Sequence, residues 1–378
     1  MFLNCHSYHS LRYGTISIED LVQQAVDLNL KTLALTDINT VTGIYDFYKL
    51  CKENGIKPIV GVDVRVENEQ YYICLAKNAE GIAEVNRLLT DHNCDHLEIP
   101  KVNPTFENNF VIYPLHNIPD RFSGHEFIGI RPDELNLLVR PELKKLIDKM
   151  VILHPVTFDT PQEYELHKIL RAIDGNTLTS KLSENDYCRD TETFIDKKQL
   201  LGQYRMYPQI IENTKKIVNE CSFDFDFSTP KNKKHFTDSR ENDFKLLRQL
   251  AYEGLKVRYP NGNVDAKARV DKELGVIDQL NFCGYFLITW DIIQYSNRMG
   301  FMHVGRGSGA NSIVSYCIGI TDICPLELDL YFERFLNLNR KTPPDFDIDW
   351  SWQTRDTILE YIFKRYGRNH VAFCGTNV

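Results

Sequence analysis

The sequence predicts an α/β protein of two domains, and three observations lead to this prediction. Predicted strands and helices alternate along the first 80 residues with short connections, which is typical of βαβ units in a barrel or a doubly wound sheet. A length of 378 residues suits about two domains. The polar, basic stretch STPKNKKHF (228–236) marks the boundary between a first domain, residues 1–228, and a second, residues 229–378.

The elements of the first domain follow from periodicity and capping residues. A short strand is predicted around residues 2–6, and a helix begins at Ser17, where Ser-x-x-Asp resembles a capping box. LKTLALTD (30–37) is typical of a buried strand, and residues 44–55 form a helix that ends at Gly55. Strands at 56–64, 70–76 and 149–155 precede a mostly helical stretch at 162–220.

The second domain begins with three predicted helices. Apolar residues recur at helical spacing over 243–259 and 268–280, which indicates amphipathic helices. Residues 284–300 are apolar nearly all round in their first half, so this helix is expected to be buried.

Composition excludes several classes of protein. Hydrophobic residues make up 43% of the chain and charged residues 25%, as in an ordinary globular protein. The 10 cysteines form no CxxC pair, which favours reduced thiols in the cytoplasm over a disulfide framework or a zinc ribbon. No apolar run approaches the roughly 20 residues of a membrane span, and no signal peptide is recognisable. A net charge of -8 still permits a local basic groove.

A glycine-rich loop in the second domain is a candidate phosphate-binding site. In VGRGSGANS (304–312), three glycines surround Arg306 and Ser308, and a helix is predicted to follow. Glycines let backbone N–H groups approach an anion, while the arginine and the hydroxyl add donors. By itself such a loop is more often an ordinary turn, and it matches neither a Walker A loop nor a dinucleotide fingerprint.

The stretch TPPDFDIDW (342–350) places Asp345, Asp347 and Asp349 at alternate positions. A strand directs alternate side chains to one face, so the three carboxylates are expected in a row. Carboxylates on one face, preceded by Arg334 and Arg340, are the ligands and cations that Mg²⁺-dependent phosphoryl transfer uses. A solvated strand edge with its charges outward explains the triplet alone equally well.

From residue 243 to 376 the chain resembles the palm of bacterial DNA polymerase III α subunits. The resemblance lies in GYFLITWDII, GRGSGANS, ITDICPLELDLYFERFLN, PDFDID and FCGT, in that order. It implies an α+β nucleotidyltransferase palm, similar to that of polymerase β, which adds dNMP from dNTPs to the primer 3′-OH of primer–template DNA. It also implies that Asp345 and Asp347 bind two Mg²⁺ ions and that Asp349 assists them.

The same resemblance implies triphosphate contacts, which are carried over to Arg306, Gly307, Ser308, Arg334 and Arg340. His303-Val304 and Asn311 depart from the family pattern at the edges of the loop, and phosphate contact is expected to survive these changes. In the family, the third catalytic aspartate, the fingers and the clamp-binding region lie beyond the position of Val378. Residues 229–378 are therefore expected to be a partial palm, and the 378-residue chain is expected to be inactive alone and not to bind the sliding clamp.

Residues 1–228 resemble the PHP (polymerase and histidinol phosphatase) domain of the same family. The resemblance implies a distorted (βα)7 barrel, whose active members hold metals at the carboxyl ends of the strands. His6, Asp37 and Asp63 stand where ligands are expected. The residues that occupy expected histidine positions are Asn4, Ile38, Tyr71 and Thr157. We therefore expect a degenerate site without a catalytic metal set.

Three functions remain open on these grounds. The first is the N-terminal part of a DNA-directed DNA polymerase. The second is a non-catalytic module that binds a proofreading exonuclease subunit through the PHP domain. The third is a PHP metal-dependent phosphoesterase, which requires the imidazoles that are missing here. No membrane partner is expected.

Overall fold

The computed structural model describes residues 2–102, 104–229, 231–340 and 343–373. The chain divides into two compact units, Met1–Phe227 (unit 1) and Ser228–Val378 (unit 2). Within the described ranges, every cysteine is a free thiol. The described helices include none that is both long enough and apolar enough to cross a membrane.

Unit 1 is built on strands that close into a distorted barrel. Its strands are β1 (Asn4–Cys5), β2 (Thr32–Leu35), β3 (Lys57–Val66), β4 (Glu69–Ala76), β5 (Asn109–Pro114), β6 (Glu126–Ile130), β7 (Met150–Ile152) and β8 (Pro155–Val156). Strands β2 to β7 form one sheet in chain order, and β1 pairs with β8. The ring closes through β1, since Thr36 N donates to Cys5 O over 2.9 Å and His6 N donates to Val156 O over 2.8 Å.

The barrel agrees with the predicted fold class but departs from strict βαβ order at β4. This strand runs antiparallel to both β3 and β5, whereas β2–β3, β5–β6 and β6–β7 are parallel. Only Glu67 and Asn68 join β3 to β4, and Glu67 has a φ of 54°. Two residues suffice for a hairpin and are too few for a parallel crossover.

Helices cover the outside of the barrel. They are α1 (Ile18–Asp27), α2 (Ile44–Glu53), α3 (Ala79–Asp95), α4 (Pro141–Lys144), α5 (Pro161–Asp174), α6 (Lys197–Gln203) and α7 (Pro208–Glu220). The predicted start of α1 is confirmed, because Ser17 Oγ accepts from Asp20 N over 3.0 Å. The apolar faces of α1 and α2 bury Leu21, Phe47 and Cys51 against the strands.

Unit 2 combines three long helices with a two-stranded ribbon. The helices are α8 (Arg240–Arg258), α9 (Val264–Gln279) and α10 (Cys283–Arg298), which confirms the three predicted helices. The remaining elements are β9 (His303–Arg306), α11 (Ile313–Cys317), β10 (Asp347–Trp350) and α12 (Trp352–Tyr366). Leu247, Val270, Phe286, Val314 and Phe335 lie in the core that supports this ribbon.

Candidate active site

The acidic residues of unit 2 lie on one side of an antiparallel ribbon. Asp347 pairs with Arg306 and Asp349 with Val304 across β9 and β10. The aspartates are exposed, while the alternate residues Phe346 and Ile348 pack against the core of unit 2. Burial of these apolar side chains on one face therefore directs the carboxylates to the other face.

Asp345 belongs to the same alternation but lies before the strand. β10 begins at Asp347, so the strand contains two of the three aspartates and not all three as predicted. Arg340 Nη2 donates to Asp345 Oδ1 over 3.4 Å, and Arg340 Nη1 donates to Phe335 O over 2.7 Å. Asp345 is thus held by a different cation from the one that contacts Asp347 and Asp349.

Arg306 links the other two carboxylates. Its Nε donates to Asp349 Oδ2 over 2.8 Å, and its Nη1 donates to Asp347 Oδ2 over 3.3 Å. The hydrogen bond to Asp349, together with the charges of both carboxylates, raises the pKa of the guanidinium. The structure therefore places two carboxylates within reach of one cation at the end of β9.

Gly307 forms the turn that brings the loop beside Asp347. It has a φ of 71°, and a Cβ atom at this position would lie 2.6 Å from Asp347 Oδ2. Glycine alone accommodates both the left-handed backbone and the close approach of the carboxylate. After Gly307 the chain forms a 3₁₀ turn to Asn311, and the predicted helix is only the five residues of α11. Such a short helix contributes little dipole to anion binding.

Ser308 and Arg334, the other two predicted phosphate ligands of this region, have side chains without a protein partner among the described residues. Ser308 is half-buried in the 3₁₀ turn, and Arg334 is exposed at the end of a second 3₁₀ turn, Phe332–Arg334. Within the part of the chain that the structure describes, neither side chain forms a hydrogen bond or an ion pair. Both are therefore free to bind a ligand.

The departures at the loop edges have definite structural roles. The His303 imidazole Nε2 lies 3.3 Å from Gly319 O, and Val304 is exposed on β9. Asn311 is buried and donates from Nδ2 to Tyr331 O over 2.9 Å. The amide thus joins the loop to the segment that carries Arg334.

In unit 1, a guanidinium engages the carboxylate at the expected metal position. Arg65 Nη2 donates to Asp63 Oδ2 over 2.8 Å, His6 Nε2 lies 2.9 Å from the same oxygen, and Gln70 Nε2 donates to it over 2.8 Å. Asn4 Nδ2 donates to this oxygen over 3.5 Å. His6 and Asp63 are fully buried. Gln70, and not Tyr71, therefore faces the site.

The charge of Asp63 is stabilised by these neighbours. Burial opposes ionisation of the carboxyl, but the Arg65 charge and the His6 contact outweigh it and hold the pKa of Asp63 well below its usual range. The pKa of Arg65 is raised in turn, since the attraction of Asp63 exceeds the effect of burial. The pair is a buried salt bridge with several hydrogen bonds.

The Asp37 carboxylate accepts hydrogen bonds from its own donors, which are different from those of Asp63. Its carboxylate accepts from Ser7 N over 2.6 Å, from Ser7 Oγ over 2.8 Å and from Ser10 Oγ over 2.7 Å. Burial raises the pKa of Asp37, and the serine hydrogen bonds partly oppose this shift. The structure thus brings His6 and Asp63 into contact, while the oxygens of Asp37 are directed to the β1–α1 connection.

Thr157 extends the cluster toward a second ion pair. His6 Nδ1 lies 3.0 Å from Thr157 Oγ1, and this hydroxyl donates to Glu192 Oε2 over 3.0 Å. Arg131 Nη1 donates to Glu192 Oε1 over 2.7 Å. The described residues contain no group of three or more His, Cys, Asp or Glu side chains placed to hold a metal ion.

Sequence reasoning missed two residues that organise these sites. Arg65 was overlooked although it stands two positions after Asp63 on the same strand, where side chains share a face. Glu273 was overlooked although it interrupts the buried face of α9 formed by Val270, Leu274 and Ile277. A charged residue on a buried face is the signal that identifies both, because such a group requires a partner.

Comparison with known proteins finds one domain family in each unit. Residues 3–113 match the PHP domain family, and residues 245–378 match the bacterial DNA polymerase III alpha NTPase domain. The DNA polymerase III subunit alpha of Halalkalibacterium halodurans is 29% identical over 98% of this chain, and that of Borreliella burgdorferi is 30% identical over 98%. The error-prone DNA polymerase of Symbiobacterium thermophilum is 27% identical over 98%.

The chain spans 36%, 37% and 39% of the lengths of these three relatives, respectively. Both domain matches occur in the order expected from the sequence motifs, and similarity to the relatives extends across nearly the whole chain. The chain therefore carries a match to the PHP domain followed by a match to the bacterial DNA polymerase III alpha NTPase domain, and it is similar over nearly its whole length to bacterial DNA polymerase III alpha subunits.

Proposed function

We propose that unit 2 binds a deoxynucleoside triphosphate with Mg²⁺ and serves template-directed addition of dNMP to a primer 3′-OH. The observation that carries this proposal is the contact of Arg306 with both Asp347 and Asp349, next to the Gly307 turn. Two carboxylates beside a glycine-rich turn and free donors fit a metal–triphosphate complex better than a solvated strand edge does.

The carboxylates fit the ligand preferences of Mg²⁺. This ion takes one or two protein carboxylates and completes its shell with phosphate oxygens and water. Asp347 and Asp349 would provide the carboxylates closest to the loop. Asp345, two residues before Asp347, would provide a third. Bound there, Mg²⁺ would neutralise the triphosphate and polarise the phosphorus that the primer hydroxyl attacks.

The protein groups would hold the triphosphate. Arg306 would exchange its carboxylate partners for a phosphate, because a guanidinium binds either anion through the same fork of N–H groups. Ser308 and Arg334 have free donors for the remaining oxygens, and Gly307 beside them is exposed. Arg340 would remain with Asp345 and orient that carboxylate.

Unit 1 would act as a metal-free support. Asp63 already accepts from Arg65, His6 and Gln70, so one of its oxygens is fully used by protein donors. The other oxygen, Oδ1, is buried without a hydrogen-bond partner among the described residues. The Arg65 guanidinium nevertheless already balances the charge of this carboxylate, which disfavours the phosphoesterase alternative. Family resemblance further supports binding of primer–template DNA by the polymerase, contact of unit 1 with a proofreading exonuclease subunit, and a cytoplasmic location.

Binding measurements on the purified chain test the proposal. Calorimetry with dATP and Mg²⁺ is expected to show one saturable site that needs both components. Asp347→Asn should abolish it, and Asp356→Asn, an exposed aspartate on α12, should leave it intact. Equal binding by the two variants, or none by the parent chain, would refute the proposal.

Primer extension tests the reaction itself. A protein in which these 378 residues are followed by the remaining region of a relative is expected to extend a primer, and absence of extension would contradict the proposal. Extension by the 378 residues alone would show that they contain every catalytic ligand. A metal assay with phosphatase substrates tests unit 1 separately, and turnover there would contradict the support role.

A further inference from the structure

A buried ion pair on α9 lies behind the glycine-rich loop, outside the residues assigned to the site. Glu273 is fully buried, and Arg269 lies one turn before it with its Nε donating to Glu273 Oε1 over 3.0 Å. Burying this carboxylate raises its pKa, although hydrogen bonds from Ser312 and Arg269 oppose the shift. A buried charge needs several donors, and those of Glu273 are Arg269 on α9 and two groups at the end of the glycine-rich loop.

The first segment is the end of the glycine-rich loop. Ser312 Oγ donates to Glu273 Oε2 over 2.7 Å, and Val314 N donates to the same oxygen over 3.2 Å. Arg269 Nη2 donates to Asn311 O over 3.1 Å. Three contacts, at Asn311, Ser312 and Val314, thus hold the end of the turn that contains Gly307 and Ser308 and the start of α11.

The second segment carries Arg334. Arg269 Nη2 also donates to Leu330 O over 2.6 Å. Asn311 Nδ2 donates to Tyr331 O over 2.9 Å, and the turn that ends at Arg334 begins directly after this residue. One guanidinium and one amide therefore join the two segments.

We propose that Arg269 and Glu273 are positioning residues that hold the glycine-rich loop and the Arg334 turn at the separation required by a triphosphate. This inference rests on the proposed function. Asp347 and Asp349 lie on β10 and receive no hydrogen bond from Arg269 or Glu273. The Arg269–Glu273 pair should therefore affect nucleotide binding and leave the metal affinity of these two carboxylates unchanged.

A second buried carboxylate in unit 2 provides the matched control. Asp243 on α8 is buried and accepts from Phe236 N over 2.9 Å and from Thr237 N over 2.7 Å. It holds the chain before α8 and has no hydrogen bond to the glycine-rich loop. Glu273→Gln and Asp243→Asn are both expected to destabilise unit 2, but only the first removes contacts with the glycine-rich loop.

The test compares Mg²⁺–dATP binding with Mn²⁺ binding in the absence of nucleotide, at a temperature where circular dichroism shows each variant folded. Glu273→Gln is expected to weaken dATP binding about tenfold, as a small displacement of binding groups does, and to leave the Mn²⁺ affinity within about twofold. Asp243→Asn should change neither affinity. If Glu273→Gln matches Asp243→Asn in both affinities, the inference is wrong.

Arg269→Lys covers the case in which Glu273→Gln does not fold. Lysine keeps the charge but lacks the fork that reaches Glu273, Asn311 O and Leu330 O together, so the same selective loss of dATP affinity is expected. Unchanged dATP binding in Arg269→Lys would overturn the inference. Absence of dATP binding by the unmodified chain would instead refute the proposed function on which it rests.

Discussion

Arg306 Nε lies 2.8 Å from Asp349 Oδ2, although the backbone partner of Arg306 across the ribbon is Asp347. The side chain therefore crosses diagonally and contacts both carboxylates. Mg²⁺ bound by the same two carboxylates would require this guanidinium to move. Metal binding and phosphate binding are consequently linked through one side chain, since a triphosphate offers Arg306 a new anionic partner.

Removing Arg306 should separate the two kinds of binding. In Arg306→Gln the carboxylates lose their cation, so we expect Mn²⁺ affinity without nucleotide to rise roughly threefold to tenfold. The triphosphate loses a charged donor, so dATP affinity should fall about tenfold. Electron paramagnetic resonance of free Mn²⁺ and calorimetry with dATP measure the two effects.

Arg334→Gln is the control for this prediction. Its side chain has no hydrogen bond or ion pair among the residues that the structure describes. We expect it to weaken dATP binding without changing Mn²⁺ binding in the absence of nucleotide. Identical Mn²⁺ affinities in both variants would contradict competition between Arg306 and the metal.

Gly307→Ala should disturb the site through two effects. The φ of 71° is unfavourable for alanine by about 1 kcal/mol, and the added Cβ would meet Asp347 Oδ2 at 2.6 Å. Gly319→Ala shares the first effect, with a φ of 82°, but has no atom within 4 Å of the new Cβ. Urea denaturation should show similar losses of stability, while only Gly307→Ala should weaken Mn²⁺ and dATP binding by about tenfold or more. Normal binding by Gly307→Ala would show that Asp347 can move without consequence.

The buried Arg65–Asp63 pair in unit 1 predicts that substitutions of its two members affect stability non-additively. Arg65→Met leaves Asp63 buried without its cation, so we expect the free energy of unfolding to fall by about 3 to 5 kcal/mol. Adding Asp63→Asn removes the stranded charge and should restore a large part of this loss. Urea denaturation of the two single variants and the double variant gives the coupling. Simple additivity would mean that the pair contributes no specific interaction.

His167 predicts a dependence of stability on pH. Its imidazole is buried, Nδ1 lies 2.6 Å from Tyr13 O, and Cys188 N donates to Nε2 over 2.9 Å. Burial lowers the pKa of His167 to about 4, below the unfolded value of about 6.5, so the unfolded chain binds the proton more readily. The stabilisation is complete above pH 6.5 and is lost as the pH falls toward 4.

Between pH 7 and pH 5, the stability advantage of the wild type over His167→Gln should shrink by about 2 kcal/mol. Urea denaturation at both pH values measures this difference. Asp63 also makes stability depend on pH, but in a more acidic range than His167 does. Because its pKa is lowered in the folded chain, its contribution to stability is present above about pH 4 and is lost as the pH falls further. An advantage that stays constant between pH 7 and pH 5 would show that the folded chain binds the His167 proton as readily as the unfolded chain does, which contradicts the lowered pKa.

Local patterns in the sequence predicted much of this structure. The Ser17 cap, the three helices of unit 2 and the outward alternation of the aspartates each depend on residues within one short segment. The contact of Arg306 with Asp349 depends on strand register between residues 43 positions apart, which periodicity does not encode. The role of Arg65 was visible in the alternation of VDVRV, but its partner set required the closed barrel.

Arg65 gives unit 1 a cation that is covalently attached to the chain. The positive charge that balances Asp63 is therefore inherited with the sequence. Replacing the Arg65–Asp63 pair by neutral residues requires two changes, and the first change leaves a buried charge uncompensated. Loss of the pair by single substitutions is thus opposed at its first step by the stability of the fold.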